Sequence, residues 1–366
     1  MKIVIVVTYS YPYIGSGIGN VAMKQAEELA KRGHKVTLIS SNFPKYKNKF
    51  VRNKVKYLKG NVLLRMEKIG LPIPLFFLTK NMKNAIKEAD IVHIHDSLYP
   101  SSYQITRYAK KHNKKIILTQ HIGFVDYHGF FYRTLSKIVY KTMAKKIIDY
   151  SKKIIVLNNK VKEDIFSIEA STGKIYTLPN GVDTNLFKPI TQKKKKELRK
   201  KYNLALNKPI ILFVGRLVAV KAFERLFEAR DKDYLILFVG GGEIPENMKN
   251  DKSVKFIGEI DQEKVSEFYQ LSDVFCLPSK SEGFPLSVLE AMATNIPVIA
   301  TDLPIYKEYF KHNEILTINP TPENIKKTIR QILIKKSNIK TRKLIIKKFS
   351  WDKNVKNLIN IYRSLG

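Results

Sequence analysis

Short continuous apolar runs, each followed by a stretch of helical periodicity, recur along this chain, and no other feature of the sequence restricts its fold as tightly. Lys2-Ile-Val-Ile-Val-Val7 shows no polar alternation, so it reads as a parallel strand buried on both faces. Lys35–Ser40, Ile91–His95, Lys115–Thr119, Lys153–Leu157 and Lys174–Leu178 repeat the signal. Helical patterns at Asn20–Arg32, 79–88, Gln104–His112, Gly129–Ser151 and Val161–Phe166 separate these strands, while 41–60 reads as a basic loop and Val62–Arg65 as a short strand. Strands alternating with helices imply a parallel, doubly wound sheet.

The pattern then restarts. Pro179–Pro189 is rich in turn residues and leads into the charged run Lys193–Lys201, a composition shift that marks a domain boundary. The run Lys193–Lys196 by itself reads as a solvated helix start. Beyond it come Ile210–Val214, a helix at 222–230, Tyr234–Val239, the turn Gly240-Gly-Gly242, Val254–Ile257, a helix at 262–271, Asp273–Leu277 and Pro297–Ala300, closed by helices at 322–335 and Trp351–Leu365. With 366 residues and 44% hydrophobic content, two cores are affordable, and the expectation is two doubly wound α/β domains joined by a short hinge.

Charge narrows the partners. There are 66 basic and 32 acidic residues, a formal net charge of +34, and residues 1–188 carry most of the excess. Such a field attracts phosphorylated ligands, anionic membrane or nucleic acid, and says little about fold. Nucleic acid is set aside because the basic residues form no recognition motif. Cys276 is the single cysteine, so there is neither a disulfide framework nor a thiolate metal site, and a reducing cytoplasm is the expected home. The amino-terminal apolar run is too short for a signal peptide, and no run approaches the ~18–20 apolar residues of a spanning helix. Ile69–Leu78 is interrupted by two prolines.

The stretch Ser279–Ala293 concentrates the chemistry. It lies between two strand signals, which places Glu282 in a strand-to-helix turn, and Pro285 suits a first helical position. The following helix is apolar nearly all round, hence buried, and Glu290 is its only charge. A buried carboxylate must be paired or hydrogen-bonded. Side chains on a helix tilt toward its start, so Glu290 leans to the mouth where Glu282 sits, beside free backbone N–H groups that favour an anion. From the residues alone, Glu282 is equally well a solvated turn residue and Glu290 a partner for a core arginine.

Taken together with three further stretches, these residues resemble glycosyltransferase family 4, retaining enzymes with the GT-B fold. Glu282 and Glu290 match its E-x7-E motif, and Val214-Gly-Arg-Leu-Val-Ala-Val-Lys221 looks like its G-R-L-x-x-x-K stretch. Leu178–Pro189 is similar to the segment ending its first domain, and Phe349-Ser-Trp-Asp352 to the start of its last helix. The resemblance spans essentially the whole chain. It implies two Rossmann-like domains facing each other across a cleft: an acceptor-side domain at 1–187, a nucleotide-sugar-binding domain at 188–349, and a final helix at about 350–366 that packs back on the first. It also implies a sugar nucleotide as donor, a glycan or lipid-linked acceptor, and no metal or other cofactor.

The matched residues suit that chemistry. A diphosphate leaving group gathers charge as the glycosidic bond breaks, so fixed cations are needed beside it. Arg216 and Lys221, at the end of a strand, fit the task. By resemblance, Gly215 belongs to that turn, the backbone at Gly283, Phe284, Pro285 and Leu286 holds the donor, Glu282 contacts the transferred sugar and Glu290 the ribose hydroxyls. Gly15, Gly17 and Gly19 form the family's phosphate-facing glycine loop, Gly241 sits in a second glycine turn, Ile260 lies where the base is read, and His121 matches the histidine near the reacting carbon. Ala222 departs from the pattern, since the family often continues its lysine with glycine.

Other candidates read differently. His93 and His95 are taken to face opposite sides of their strand, against a joint metal site. Asp231-Lys-Asp233 has D-x-D spacing but lies in a polar turn. Arg133, Lys137, Lys141 and Lys145 recur every fourth residue, with Phe130 and Phe131 nearby. Their helix is either packed on its own sheet with a solvated lysine face or an interfacial helix meeting anionic lipid on the inner face of the membrane. The function expected is retaining, metal-independent sugar transfer. A hydrolase or phosphorylase on a related fold, or a non-catalytic sugar-nucleotide-binding subunit, are the alternatives.

Overall fold

The computed structural model describes residues 1–11, 17–43, 47–62, 76–123, 134, 138–168, 174–335 and 340–365. They separate into two compact units, Met1–Asn180 with Trp351–Gly366, and Gly181–Ser350.

The first unit contains β1 (Lys2–Val6), α1 (Gly17–Lys31), β2 (Lys35–Ser41), β3 (Lys49–Arg52), β4 (Val55–Gly60), α2 (Lys80–Glu88), β5 (Ile91–His95), α3 (Pro100–Lys111) and β6 (Lys115–Gln120). A π-helical turn at Tyr140–Ala144 runs into α4 (Lys145–Tyr150), followed by β7 (Lys153–Val156), α5 (Asn159–Phe166) and β8 (Lys174–Thr177). The sheet order is β3-β4-β2-β1-β5-β6-β7-β8, and only the edge pair β3 and β4 is antiparallel.

The missing polar alternation in β1 now has its cause. Ile3 and Ile5 enter a core with Ala22, Ala26 and Leu29 of α1, whereas Val4 and Val6 enter the core on the other face with residues of α2 to α5. Each such side chain contributes about 1.5–3 kcal/mol when fully buried, so a charge on either face would be excluded. The helix Trp351–Arg363 completes the first core through Val355, Leu358, Ile359 and Tyr362. Polar ties fix its register: Arg32 donates to Asp352 at 2.7 Å, Gln25 to Asn354 at 3.1 Å, and Asn354 to the Pro179 carbonyl at 2.7 Å.

Sequence expectations at both ends of this stretch of the first unit are corrected here. Residues expected to be loop form the hairpin β3–β4, whose turn residues Asn53 (φ 50) and Lys54 (φ 63) are both left-handed, as a two-residue hairpin turn requires. Its basic residues concealed it, yet Val55 and Tyr57 are fully buried. Val62 is not in a strand, and the rest of the strand expected at 62–65 lies outside the described residues. The second correction is that α1 begins at Gly17, so Gly17 and Gly19 occupy its first turn and not a loop.

The second unit contains α6 (Gln192–Lys201), β9 (Ile210–Val214), α7 (Phe223–Glu228), β10 (Leu235–Val239), β11 (Val254–Gly258), α8 (Gln262–Leu271), β12 (Val274–Leu277) and α9 (Leu286–Ala293). It continues through β13 (Val298–Thr301), α10 (Pro304–Tyr309), β14 (Leu316–Ile318), α11 (Pro322–Lys335) and α12 (Arg342–Phe349). All strands are parallel in the order β11-β10-β9-β12-β13-β14. Growth of the sheet reverses between β9 and β12, the position at which doubly wound sheets open a crevice at their carboxyl ends.

The turn-rich segment after residue 180 belongs to this second unit. Val182 donates to the Phe349 carbonyl at 2.7 Å, and Arg342 donates to the carbonyls of Thr184 and Phe187, both at 2.7 Å. The chain thus crosses between the units at 180/181 and returns at 350/351.

Candidate functional site

In the second unit the two motif loops lie side by side, because β9 pairs with β12. After β9 the chain runs through Gly215 and Arg216 into a 3₁₀ turn at Ala219–Lys221. After β12 it runs through Ser279 and Glu282 to α9. Lys280 N–H donates to the Val220 carbonyl at 2.8 Å, stitching the loops together. Across this seam Lys221 Nζ donates to Glu282 Oε1 at 2.6 Å, with the Glu282 side chain only 7% exposed. Arg216 is exposed and has no ion-pair partner among the described residues.

Glycines let a third loop approach. Leu217 N–H donates to the Gly241 carbonyl at 2.8 Å and Gly215 N–H to the Val239 carbonyl at 2.9 Å. A Cβ at Gly240 (φ +138) would fall 2.0 Å from the Gly215 carbonyl oxygen, so only glycine fits there. Gly241 lies beside Glu259, and Ile260 follows the end of β11, half-buried.

Ala222 adopts φ 46, ψ 38, the left-handed region. That conformation explains why a glycine is the easier residue at this point, and alanine holds it at a cost of about 1–2 kcal/mol.

Pro285 is the N-cap of α9 and Leu286 its first residue, one position later than expected. Val288 to Ala293 are buried, and Glu290 among them is 7% exposed. The Tyr269 hydroxyl on α8 donates to Glu290 Oε2 at 2.8 Å. The arginines nearest to burial are employed elsewhere: buried Arg199 donates to Asp273 at 2.6 Å and to the Leu271 carbonyl, and half-buried Arg342 to main-chain carbonyls. Phe284 packs edge-on to Tyr309 and beside Phe349, which anchors the backbone of Gly283 to Leu286. Glu282, Lys221, Gly215, Gly241 and Gly283, on loops, and Leu286, at the start of α9, therefore sit at one end of one sheet.

Sequence reasoning missed two tyrosines. Tyr269 gives no motif signal. Tyr306, 1% exposed and without a hydrogen-bond partner, has its hydroxyl pushed well up, first by burial and then by the negative charge of Glu282.

In the first unit, Gly15 lies outside the described residues, as do Phe130, Phe131, Arg133 and Lys137. Gly17 has open space at its Cβ position, and Gly19 is buried in the first turn of α1. His121 follows β6 and is 3% exposed. His121 Nε2 lies 2.8 Å from His95 Nδ1, and the His121 backbone N–H donates to Asp96 Oδ1 at 3.1 Å.

His93 and His95 correct an expectation. Residues two apart on a strand share a face, and their rings are 4.5 Å apart. His93 is held between Tyr362 (2.7 Å) and Thr119 (2.6 Å). Burial drives the pKa of His93 and of His121 down to about 3 and that of His95 well below its usual value, so all three rings are neutral. Among the described residues no group of three or more His, Cys, Asp or Glu is arranged to hold a metal ion.

The remaining candidates have structural employment. Asp231 accepts from Arg330 at 2.6 Å and pairs with Lys326 at 3.0 Å, in a basic depression of about 690 Å³ at the opposite, amino ends of β9 to β11. In the helix carrying Lys141 and Lys145, Ile147 and Ile148 are fully buried in the sheet's core. No described helix is long and apolar enough to cross a membrane.

Comparison with known proteins adds an independent finding. Residues 15–186 match the family model described as Glycosyltransferase Family 4, and residues 194–350 the model described as Glycosyl transferases group 1. An uncharacterized glycosyltransferase of Haemophilus influenzae is 29% identical over 82% of this chain and 82% of its own length. The alpha-galactosylglucosyldiacylglycerol synthase of Streptococcus pneumoniae is 24% identical over 75% of this chain and 76% of its own. Anabaena Alr3699/HepE, solved in complex with UDP and glucose, superposes with a TM-score of 0.79 at 14% identity, covering 100% of both chains.

Proposed function

Since the chain is a glycosyltransferase of the family 4 type with the GT-B fold, we propose that it is a retaining enzyme which draws a sugar from a nucleotide-diphosphate donor on its second unit. The acceptor, a hydroxyl of a glycan or of a lipid-linked carrier, is assigned to the first unit. Support for a nucleoside diphosphate comes from the structural neighbour solved with UDP and glucose, and for a lipid-linked acceptor from the glycolipid synthase of Streptococcus pneumoniae.

One observation carries the reading: the Lys221–Glu282 pair at 2.6 Å, placed where the sheet reverses between β9 and β12. An ammonium has three N–H donors, so the bond to Glu282 leaves two for phosphate oxygens. Arg216, exposed and without an ion-pair partner among the described residues, supplies a second cation. Together they stabilise the diphosphate as it departs, with no step that calls for a metal. Glu282 accepts from hydroxyls of the transferred sugar, and Glu290, oriented by Tyr269, from those of the ribose.

In the proposed step the bond between the anomeric carbon and the phosphate oxygen breaks while the acceptor oxygen bonds to that carbon from the same face. The acceptor's proton passes to the departing phosphate oxygen.

A panel of nucleotide sugars tests this directly. Binding should raise the melting temperature by mass action, and the product should keep the donor's anomeric configuration by NMR, with turnover unchanged in EDTA. Inverted product would overturn the retaining mechanism, and release of free sugar at the same rate with and without acceptor would identify a hydrolase.

A further inference from the structure

The amino ends of β9, β10 and β11 gather charge that the proposed sugar transfer does not use. Lys208 precedes β9, Lys232 precedes β10, Lys252 precedes β11, and Lys326 and Arg330 stand one turn apart on α11. With Arg230 these are six cations lining the depression of about 690 Å³, against two carboxylates, Asp231 and Asp251, so four positive charges are in excess.

The two carboxylates set the cations in place. The Asp231 side chain is 3% exposed, its Oδ2 accepting from Arg330 at 2.6 Å with Lys326 Nζ 3.0 Å away, and its Oδ1 accepting from the Asp233 N–H at 3.1 Å. Asp251 Oδ2 pairs with Arg230 Nε at 2.7 Å, and the Arg230 guanidinium lies 4.3 Å from the centre of the Phe227 ring. A guanidinium has five N–H donors and an ammonium three, so each of these groups keeps donors beyond those bonds. Lys208, Lys232 and Lys252 have no ion-pair partner among the described residues.

Like charges gathered in a concavity repel one another, and an anion of several charges relieves all of those pairs at once. The volume is that of a small-molecule site. No aromatic or aliphatic residue lines it, so nothing there stacks on a nucleobase or receives an acyl chain. β9, five residues at about 3.3 Å each, separates the depression from the motif loops by about 16 Å, and the two places share no cation.

We propose that this depression binds a soluble, multiply phosphorylated anion, a polyphosphate or the phosphates of a bisphosphorylated metabolite, as a second ligand of the protein. Arg230 and Arg330, each held by an aspartate, present planar forks of donors to phosphate oxygens, and the three unpaired lysines supply the remaining charge. The site does not depend on the transferase reading, because none of its residues belongs to the motif loops.

The test is calorimetric titration of the full chain with inorganic tripolyphosphate at about 150 mM NaCl, where exposed charges are screened beyond about 8 Å. Wild type should bind it, and K208Q/K232Q/K252Q should weaken that binding about ten-fold or more. K80Q/K83Q/K87Q, an equal loss of charge from exposed lysines of α2 in the first unit, should stay within about two-fold of wild type, and so should K221A. No binding to wild type, or equal losses in the two triple variants, would overturn the site and leave a solvated basic surface. Binding lost in K221A and kept in K208Q/K232Q/K252Q would place the phosphate on the motif loops and overturn it as well. Phosphatidylglycerol vesicles provide the last arm: co-sedimentation that needs the same three lysines and that tripolyphosphate does not prevent would assign the surface to a membrane and overturn the soluble ligand. Should the triple variant not fold, K232Q/K252Q, at two exposed positions, carries the same comparison.

Discussion

Lys221 Nζ and Glu282 Oε1 are 2.6 Å apart across two loops that follow different strands, and both side chains are largely withdrawn from solvent, 22% and 7% exposed. Replacing Lys221 with Ala, or Glu282 with Ala, should each lower kcat by about 100- to 1,000-fold. The double variant should be little worse than either single one, since coupled residues are strongly non-additive. Turnover within two-fold of wild type in either single variant would remove that residue from the mechanism.

Tyr269 should act on donor affinity more than on chemistry. Its hydroxyl donates to the buried Glu290, so Y269F removes a charge-assisted hydrogen bond and should cost about 1–3 kcal/mol of stability. Donor Kd should weaken several-fold with kcat for bound donor nearly unchanged. Urea melts and calorimetric titration with the donor read the two effects separately.

The buried histidines set an acid limit on the first unit. Burial brings His93 and His121 down to about 3 in the folded chain and holds His95 well below its ordinary value. The unfolded chain, with histidines near 6.5, therefore binds more protons between about pH 3 and 6.5, and stability should be lost as pH falls through that window. Asp96, raised to about 7, works in the opposite sense, since the folded state binds the extra proton and stability declines from about pH 4 to 7. Three groups outweigh one below 6.5. Melting temperature against pH should rise toward 6.5, and D96N should melt higher than wild type above pH 7 while keeping the acid loss.

Asp273 joins three elements of the second unit. It accepts from Lys195 at 2.7 Å, from Arg199 at 2.6 Å and from the Ile210 N–H at 2.7 Å. D273A strands the buried Arg199 guanidinium and should cost about 2–3 kcal/mol, less than a fully buried pair because the Asp273 side chain is 29% exposed. Two-probe thermal unfolding should show the second unit melting earlier.

Ala222 is a substitution waiting to be relaxed. Its φ of 46 costs an alanine about 1–2 kcal/mol, partly offset by a buried methyl. A222G should raise stability by about 0.5–1 kcal/mol, with Lys221 kept in place and kcat unchanged. A drop in melting temperature would show that the methyl's packing dominates.

Most of the architecture was legible because β1, β9 and β12 are apolar on both faces and helices separate them, and Glu290 announces itself as the only charge on a helix that is otherwise apolar. The hairpin β3–β4 was not, since its lysines and arginine mask a two-residue period carried by Val55 and Tyr57. His93 and His95 were legible too, but an i, i+2 pair shares a face and was read as opposed. The strain at Asp96 leaves no mark in the sequence, because its left-handed φ and its unpartnered buried oxygen are both consequences of tertiary structure. The Tyr269 hydroxyl that donates to Glu290 lies 21 positions away on α8, and nothing in the spacing of Tyr269 marks it.

The helix Trp351–Arg363 has a consequence for how the protein is made. It fills the first core with Val355, Leu358 and Tyr362, yet it is synthesised after the whole of Gly181–Ser350. On the ribosome the second unit has all its residues before the first has its last helix. The first unit must wait with α1 and His93 uncovered until residue 362 arrives. Holding an apolar surface open for that long makes this helix the step at which a chaperone, or a stalled ribosome, decides between folding and aggregation.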